Sequence, residues 1–122
     1  MTKFKSQGFN KTFMNARKGF RLVFKSEMNI RIHLIIAALV LIAAYFFGFN
    51  YIEYCILLIA IAIVIISEMI NTAIEFTLDS IYHNRYSRMV GMAKDISAGA
   101  VMIASIISAL IGILLFCKHI FL

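Results

Sequence analysis

Apolar positions fall into one amphipathic stretch and three long continuous runs, parted by short polar breaks. From Phe9 to Phe24 they return at helical spacing, at Phe9, Phe13, Ala16, Phe20, Val23 and Phe24, while Lys11, Arg17, Lys18, Arg21 and Lys25 fill the rest of the circumference. That pattern predicts a basic, aromatic amphipathic helix over about 9–26, lying in a membrane surface. A first span is expected over about 30–49, with Arg31 and His33 able to snorkel towards the near interface. Gly48-Phe49-Asn50-Tyr51 reads as a turn, and a second span follows over about 51–76. Residues 80–93 read as a basic polar connection, and a third span runs over about 96–117. Along it Ala100, Ala104, Ser108 and Gly112 step by four, a small-residue face that lets helices approach closely. The expected fold class is therefore an all-α integral membrane protein: one domain over 1–122, with a surface helix and three transmembrane helices.

The second run breaks its own pattern near its end. At about 100° per residue Glu68, Asn71, Thr72, Glu75 and Asp79 share one stripe, and Met69, Ile70, Ala73, Ile74 and Phe76 cover the rest. A carboxylate at membrane depth costs roughly 2.5 to 3.5 kcal/mol even on the gentler insertion scale. Such residues must face protein, water or a bound cation. At 1.5 Å per residue Tyr51 to Glu68 covers about 25 Å, which sets Glu68 near the edge of the hydrocarbon and Glu75 and Asp79 at or beyond it.

Composition supports the membrane class: 62% of the 122 residues are hydrophobic and there is no proline. A soluble domain of this size has too little interior for that apolar surface. Net charge is +6, unevenly spread. Lys3, Lys5, Lys11, Arg17, Lys18, Arg21, Lys25 and Arg31 all precede the bulk of the first run, whereas the 48–51 turn carries no Lys or Arg. The bias predicts a cytoplasmic N-terminus and an outer C-terminus, with basic side chains meeting anionic headgroups. No aromatic-basic recognition motif accompanies the charge, so nucleic acid is not an expected partner. The basic opening and the run after it are both longer than in a cleaved secretory signal, so the N-terminus is expected to be kept. Cys55 and Cys117 lack metal spacing and read as small apolar side chains, with a disulfide the minor alternative because both fall near one outer face.

This topology brings Glu27, the Glu68 to Asp79 stripe and Lys94-Asp95 to the same inner interface. Carboxylates beside a lysine suit a divalent cation and a phosphate, because magnesium takes one or two carboxylates plus phosphate oxygens. Phosphoryl transfer asks for little more than a metal, a cation near the moving group and a base for the attacking hydroxyl. Neither a G-x-x-x-x-G-K-[ST] loop nor a Gly-rich kinase loop is present, so the soluble kinase designs are excluded.

Glu68-x-x-Asn71-Thr72-Ala73-Ile74-Glu75-x-x-x-Asp79, followed by Ala93-Lys94-Asp95-x-x-Ala98-Gly99-Ala100-Val101, resembles the prokaryotic diacylglycerol kinase and undecaprenol kinase family. The likeness covers nearly the whole chain and takes in Lys18-Gly19 and Glu27-x-Asn29-x-Arg31-Ile32-His33. It implies a homotrimeric lipid kinase of the bacterial inner membrane that uses MgATP at active sites shared between subunits. By position, Glu68 resembles the general base, and Glu27 and Glu75 match magnesium-binding carboxylates. Asn71, Asp79, Tyr86, Lys94 and Asp95 match residues about the nucleotide, and Arg31 belongs to the same constellation. The sequence departs from the family where Gly8 replaces a frequent arginine, Asn15 a tyrosine and Ser87 a loop histidine. Lys5 or Lys11 stand nearby as substitutes for the lost contacts. The Arg31-Ile32-His33 and Ala98-Gly99-Ala100-Val101 forms look more like undecaprenol kinases than diacylglycerol kinases. Undecaprenol is thus the expected substrate and diacylglycerol the alternative. The competing classes are a proton- or cation-coupled transporter and a purely structural membrane subunit.

Overall fold

The computed structural model describes residues 8–83, 85 and 87–122. Four helices follow in order, α1 Phe9–Ser26, α2 Met28–Phe47, α3 Tyr51–Tyr82 and α4 Arg88–Phe121. The last three are each long and apolar enough to cross a membrane. In α1 only Val23 is buried, and Phe9, Phe13, Met14, Leu22 and Phe24 stand exposed. Phe9 and Phe13, one turn apart, stack with centroids 6.4 Å from each other. Glu27 separates α1 from α2 through an extended backbone, φ −120° and ψ 117°.

The link from α2 to α3 is short because both helix ends close on themselves. Gly48 turns left-handed at φ 76°, and its N–H and that of Phe49 reach the Tyr45 and Ala44 carbonyls at 3.2 and 3.1 Å. A side chain would strain that conformation; glycine does not. Two residues later the Asn50 side chain accepts from the Glu53 N–H at 2.9 Å, and the Glu53 carboxylate accepts from the Asn50 N–H at 3.0 Å. This reciprocal pair satisfies two of the N–H groups that a helix start leaves open.

Glu53 has a second task, which the sequence pattern does not announce. Its carboxylate is buried and meets Lys118 Nζ at 3.0 Å and His119 Nε2 at 2.9 Å, both from the far end of α4. The His119 ring lies on Phe49 at 4.6 Å. Beneath this cluster Ala44, Phe49 and Leu57 form a small core with Val40, Leu41, Tyr54, Ile61, Leu115 and Phe116 packed against it. Cys55 and Cys117 are both free.

At the other end α3 and α4 run on beyond the expected spans. The connection shrinks to 83–87, where the sequence pattern gives 80–93. No proline interrupts either helix, and Asp79 pairs with Lys94 at 2.8 Å, so the polar segments continue as paired helix. Ser87 caps the start of α4 by accepting from the Val90 N–H at 3.1 Å. With 32 residues α3 is about 48 Å long, against about 30 Å of hydrocarbon. Outward-facing Ile59, Ile63 and Ile70 of α3 and Ile103, Ile107 and Leu114 of α4 remain exposed, as suits a lipid-facing or subunit-facing surface.

Candidate active site

Glu68, Thr72, Asn71, Glu75 and Asp79 share one face of α3, and that face turns towards α2 and α4. Depth orders their contacts. Deepest is Glu68, its side chain 5% exposed, with His33 Nε2 of α2 at 3.2 Å from Oε1. The buried Thr72 hydroxyl donates to the Glu68 main-chain carbonyl at 3.0 Å, which accounts for a polar side chain facing the packed interior.

One turn further, the Asn71 amide donates to Glu75 Oε1 at 2.9 Å. The buried Ser97 hydroxyl of α4 donates to Asn71 Oδ1. Asn71 is thereby held at both ends of its amide, and the Glu75 carboxylate is held by Asn71. Outermost is the Asp79–Lys94 pair, with side chains 41% and 37% exposed. The seam thus grades from a carboxylate shut away from water to an ion pair in contact with it.

Five of the expected site residues, Glu68, Asn71, Glu75, Asp79 and Lys94, are linked or lie in succession along this seam. Glu27 and Arg31 stand half-buried at the α1–α2 break, and Asp95 is exposed on α4. None of these three enters an ion pair among the described residues. Glu27 is the extended residue before α2 and not part of a helical turn, so its side chain is not set one turn below Arg31. Tyr86 lies outside the described residues, as does Lys5. No three His, Cys, Asp or Glu residues converge as metal ligands among the described residues.

His33 and Ser97 are the additions. His33 does not snorkel to an interface; it turns inward to Glu68. The signal available in the sequence is that a buried acid demands a donor, but periodicity on one helix says nothing of which neighbour supplies it. His33 also borders a cavity of about 340 Å³ between α2, α3 and α4, lined by Ala37, Val40, Ile61, Val64 and Gly112 among others. Small α4 residues help to open it. Ser108 and Gly112, expected to draw helices together, line this space instead, and a Cβ at Gly112 would meet nothing within 4 Å.

The family profile described as prokaryotic diacylglycerol kinase matches residues 14–116, and with the relatives it makes the class that of a membrane lipid kinase. The chain belongs to the prokaryotic diacylglycerol kinase family. It is 35% identical over 108 residues to an undecaprenol kinase of Bacillus subtilis (strain 168), covering 88% of this chain and 87% of the relative. A diacylglycerol kinase of Synechocystis sp. is 32% identical over 101 residues, 83% of this chain but 58% of the relative. A diacylglycerol kinase of Escherichia coli (strain K12) is 29% identical over 102 residues, 84% and 83% of the two chains. Family membership leaves the transporter and structural-subunit readings without support.

Proposed function

We propose that this chain transfers the γ-phosphoryl group of MgATP to undecaprenol, with Glu68 as the base that takes the hydroxyl proton. The observation that carries the reading is the depth gradient along α3: Glu68 is 5% exposed, while Asp79 and Lys94 reach water. A lipid alcohol presents its hydroxyl from the membrane, and nucleotide arrives from the aqueous side. The order of the seam suits both.

In this mechanism Lys94 offers its ammonium to the phosphates, Asp79 holds that ammonium, and Asn71 orients Glu75. Tyr86 and Asp95 complete the nucleotide surface, and Arg31 belongs to the same site. The donor set fits magnesium: Glu75 has one oxygen engaged by Asn71 and a second for a hard cation. Glu27 and Glu75 would hold the ion, which when bound neutralises charge on the triphosphate. The hydroxyl oxygen bonds to the γ-phosphorus, the bond to the ADP oxygen breaks, and the hydroxyl proton ends on Glu68.

Undecaprenol is preferred over diacylglycerol because the undecaprenol kinase relative is 35% identical, against 32% and 29% for the two diacylglycerol kinases. The reading includes a homotrimer whose sites draw on two subunits, so that Glu27 and Arg31 meet Glu75 across an interface. Exposed apolar faces on α3 and α4 support it. The basic face of α1 supports a place on the inner leaflet of the bacterial cell membrane, with the N-terminus cytoplasmic.

The test is phosphoryl transfer from labelled ATP to undecaprenol and diacylglycerol, side by side in mixed micelles with magnesium. Faster transfer to undecaprenol is expected, with Glu68→Gln losing turnover and keeping nucleotide binding. Transfer to neither lipid by folded protein rejects the reading, and full activity in Glu68→Gln rejects the base.

A further inference from the structure

We infer that His33 is a positioning residue for Glu68: its Nε2–H fixes one carboxylate oxygen and leaves the other to accept the proton of the lipid hydroxyl. The inference rests on the proposed role of Glu68 and assigns that role a partner on a different helix. Three observations carry it. His33 Nε2 lies 3.2 Å from Glu68 Oε1. That carboxylate is 5% exposed, so water does not serve it freely, and a charge in such a place requires a donor. The imidazole is itself 30% exposed and borders the apolar cavity between α2, α3 and α4. It stands between the base and the space through which an apolar molecule would reach it.

The chemistry of the two groups restricts what the contact does. An ionised carboxylate only accepts hydrogen bonds, so the imidazole must present Nε2–H, as the neutral Nε2–H tautomer or as imidazolium. Either form can donate to Oε1 and leaves the second carboxylate oxygen open. Neither form needs the imidazole to touch the substrate. The pair stands at ion-pair distance, 3.2 Å, and contacts of this kind are often poorly aligned before substrate binds and tighten in the reacting complex. When Glu68 takes the hydroxyl proton, the O–H bond breaks, the oxygen bonds to phosphorus, ADP leaves, and the Nε2–H stays on His33. Arg31, two residues earlier on α2, makes no ion pair with Glu68 among the described residues.

His33→Ala should lower kcat about 10- to 100-fold, the range typical for removing a group that orients a reacting ligand, while KM for MgATP changes less than about threefold. His33→Gln carries an N–H donor to nearly the same place and should recover most of the loss. In a Glu68→Gln background His33→Ala should cost less than about threefold more, because two groups acting as a unit are not additive. Unchanged kcat in His33→Ala, failure of Gln to recover activity, or full multiplication of the two losses each overturns the inference. A readout independent of catalysis comes from histidine labelled at its ring nitrogens: the His33 Nε2 resonance should move on Glu68→Gln in folded protein. A fixed resonance overturns the contact itself. Wild-type protein inactive on both lipids would reject the proposed function alone, since the resonance still decides the contact.

Discussion

Removing one hydroxyl, in Ser97→Ala, tests whether the seam is a chain of positioning contacts or a set of independent polar groups. Ser97 is 7% exposed and donates to Asn71 Oδ1, while the same amide donates through Nδ2 to Glu75. The alanine variant keeps volume and backbone nearly intact and frees one end of Asn71. A net hydrogen bond is worth about 0.5–1.5 kcal/mol, and side-chain bonds between membrane helices average about 0.6. If that energy serves to hold Glu75 in its reacting position, the rate falls by about 3- to 10-fold at 1.36 kcal/mol per decade. Because the loss acts through Glu75, the magnesium concentration for half-maximal rate should rise, with KM for lipid unchanged. The assay is initial-rate phosphoryl transfer over a magnesium titration at saturating lipid. A wild-type magnesium profile in Ser97→Ala, or a loss as large as that of Glu75→Ala, would refute the relay.

Other outcomes follow from the same geometry. Glu75→Ala and Glu27→Ala should each raise the magnesium requirement in that titration, and a variant with wild-type dependence loses its assignment as a ligand. Gly48→Ala places a side chain at φ 76° and should destabilise the protein by about 1 kcal/mol or more, read from the unfolding midpoint in detergent. Lys118→Ala combined with His119→Ala leaves the buried Glu53 carboxylate without its α4 partners. Its unfolding midpoint should fall, and the further change Glu53→Gln should restore part of the loss.

How much was legible in the chain divides by what one helix can encode. Repeating apolar positions define a helix, so the bounds of α1 and the stripe from Glu68 to Asp79 were readable before any packing was known, and Gly48 marked the turn. The bounds of α3 and α4 were not, because Asp79 and Lys94 look like loop residues until they meet. His33, Ser97 and Glu53 were missed as partners for a related reason. Each takes its meaning from a residue on another helix, and 26 positions separate Ser97 from Asn71 while 66 separate His119 from Glu53. Only the register of the packed helices supplies that information. Glu27 and Glu75 are a different case: the sequence motif names both, and contacts within one chain do not join them.

The two ends of the α3–α4 pair differ in what dissolved ions can reach. At the Gly48 end the Glu53 carboxylate is 5% exposed and its His119 partner 18%, so that contact is covered, while the second partner, Lys118, reaches out of the cluster. At the opposite end Asp79 and Lys94 lie open to the aqueous phase. Mobile ions screen exposed pairs within about 10 Å at 0.1 M and affect covered ones far less. Raising ionic strength therefore weakens the Asp79–Lys94 pair more than the covered Glu53–His119 contact, so, with nucleotide bound at the Asp79–Lys94 end as proposed, catalytic rate should respond to salt well before the bundle comes apart.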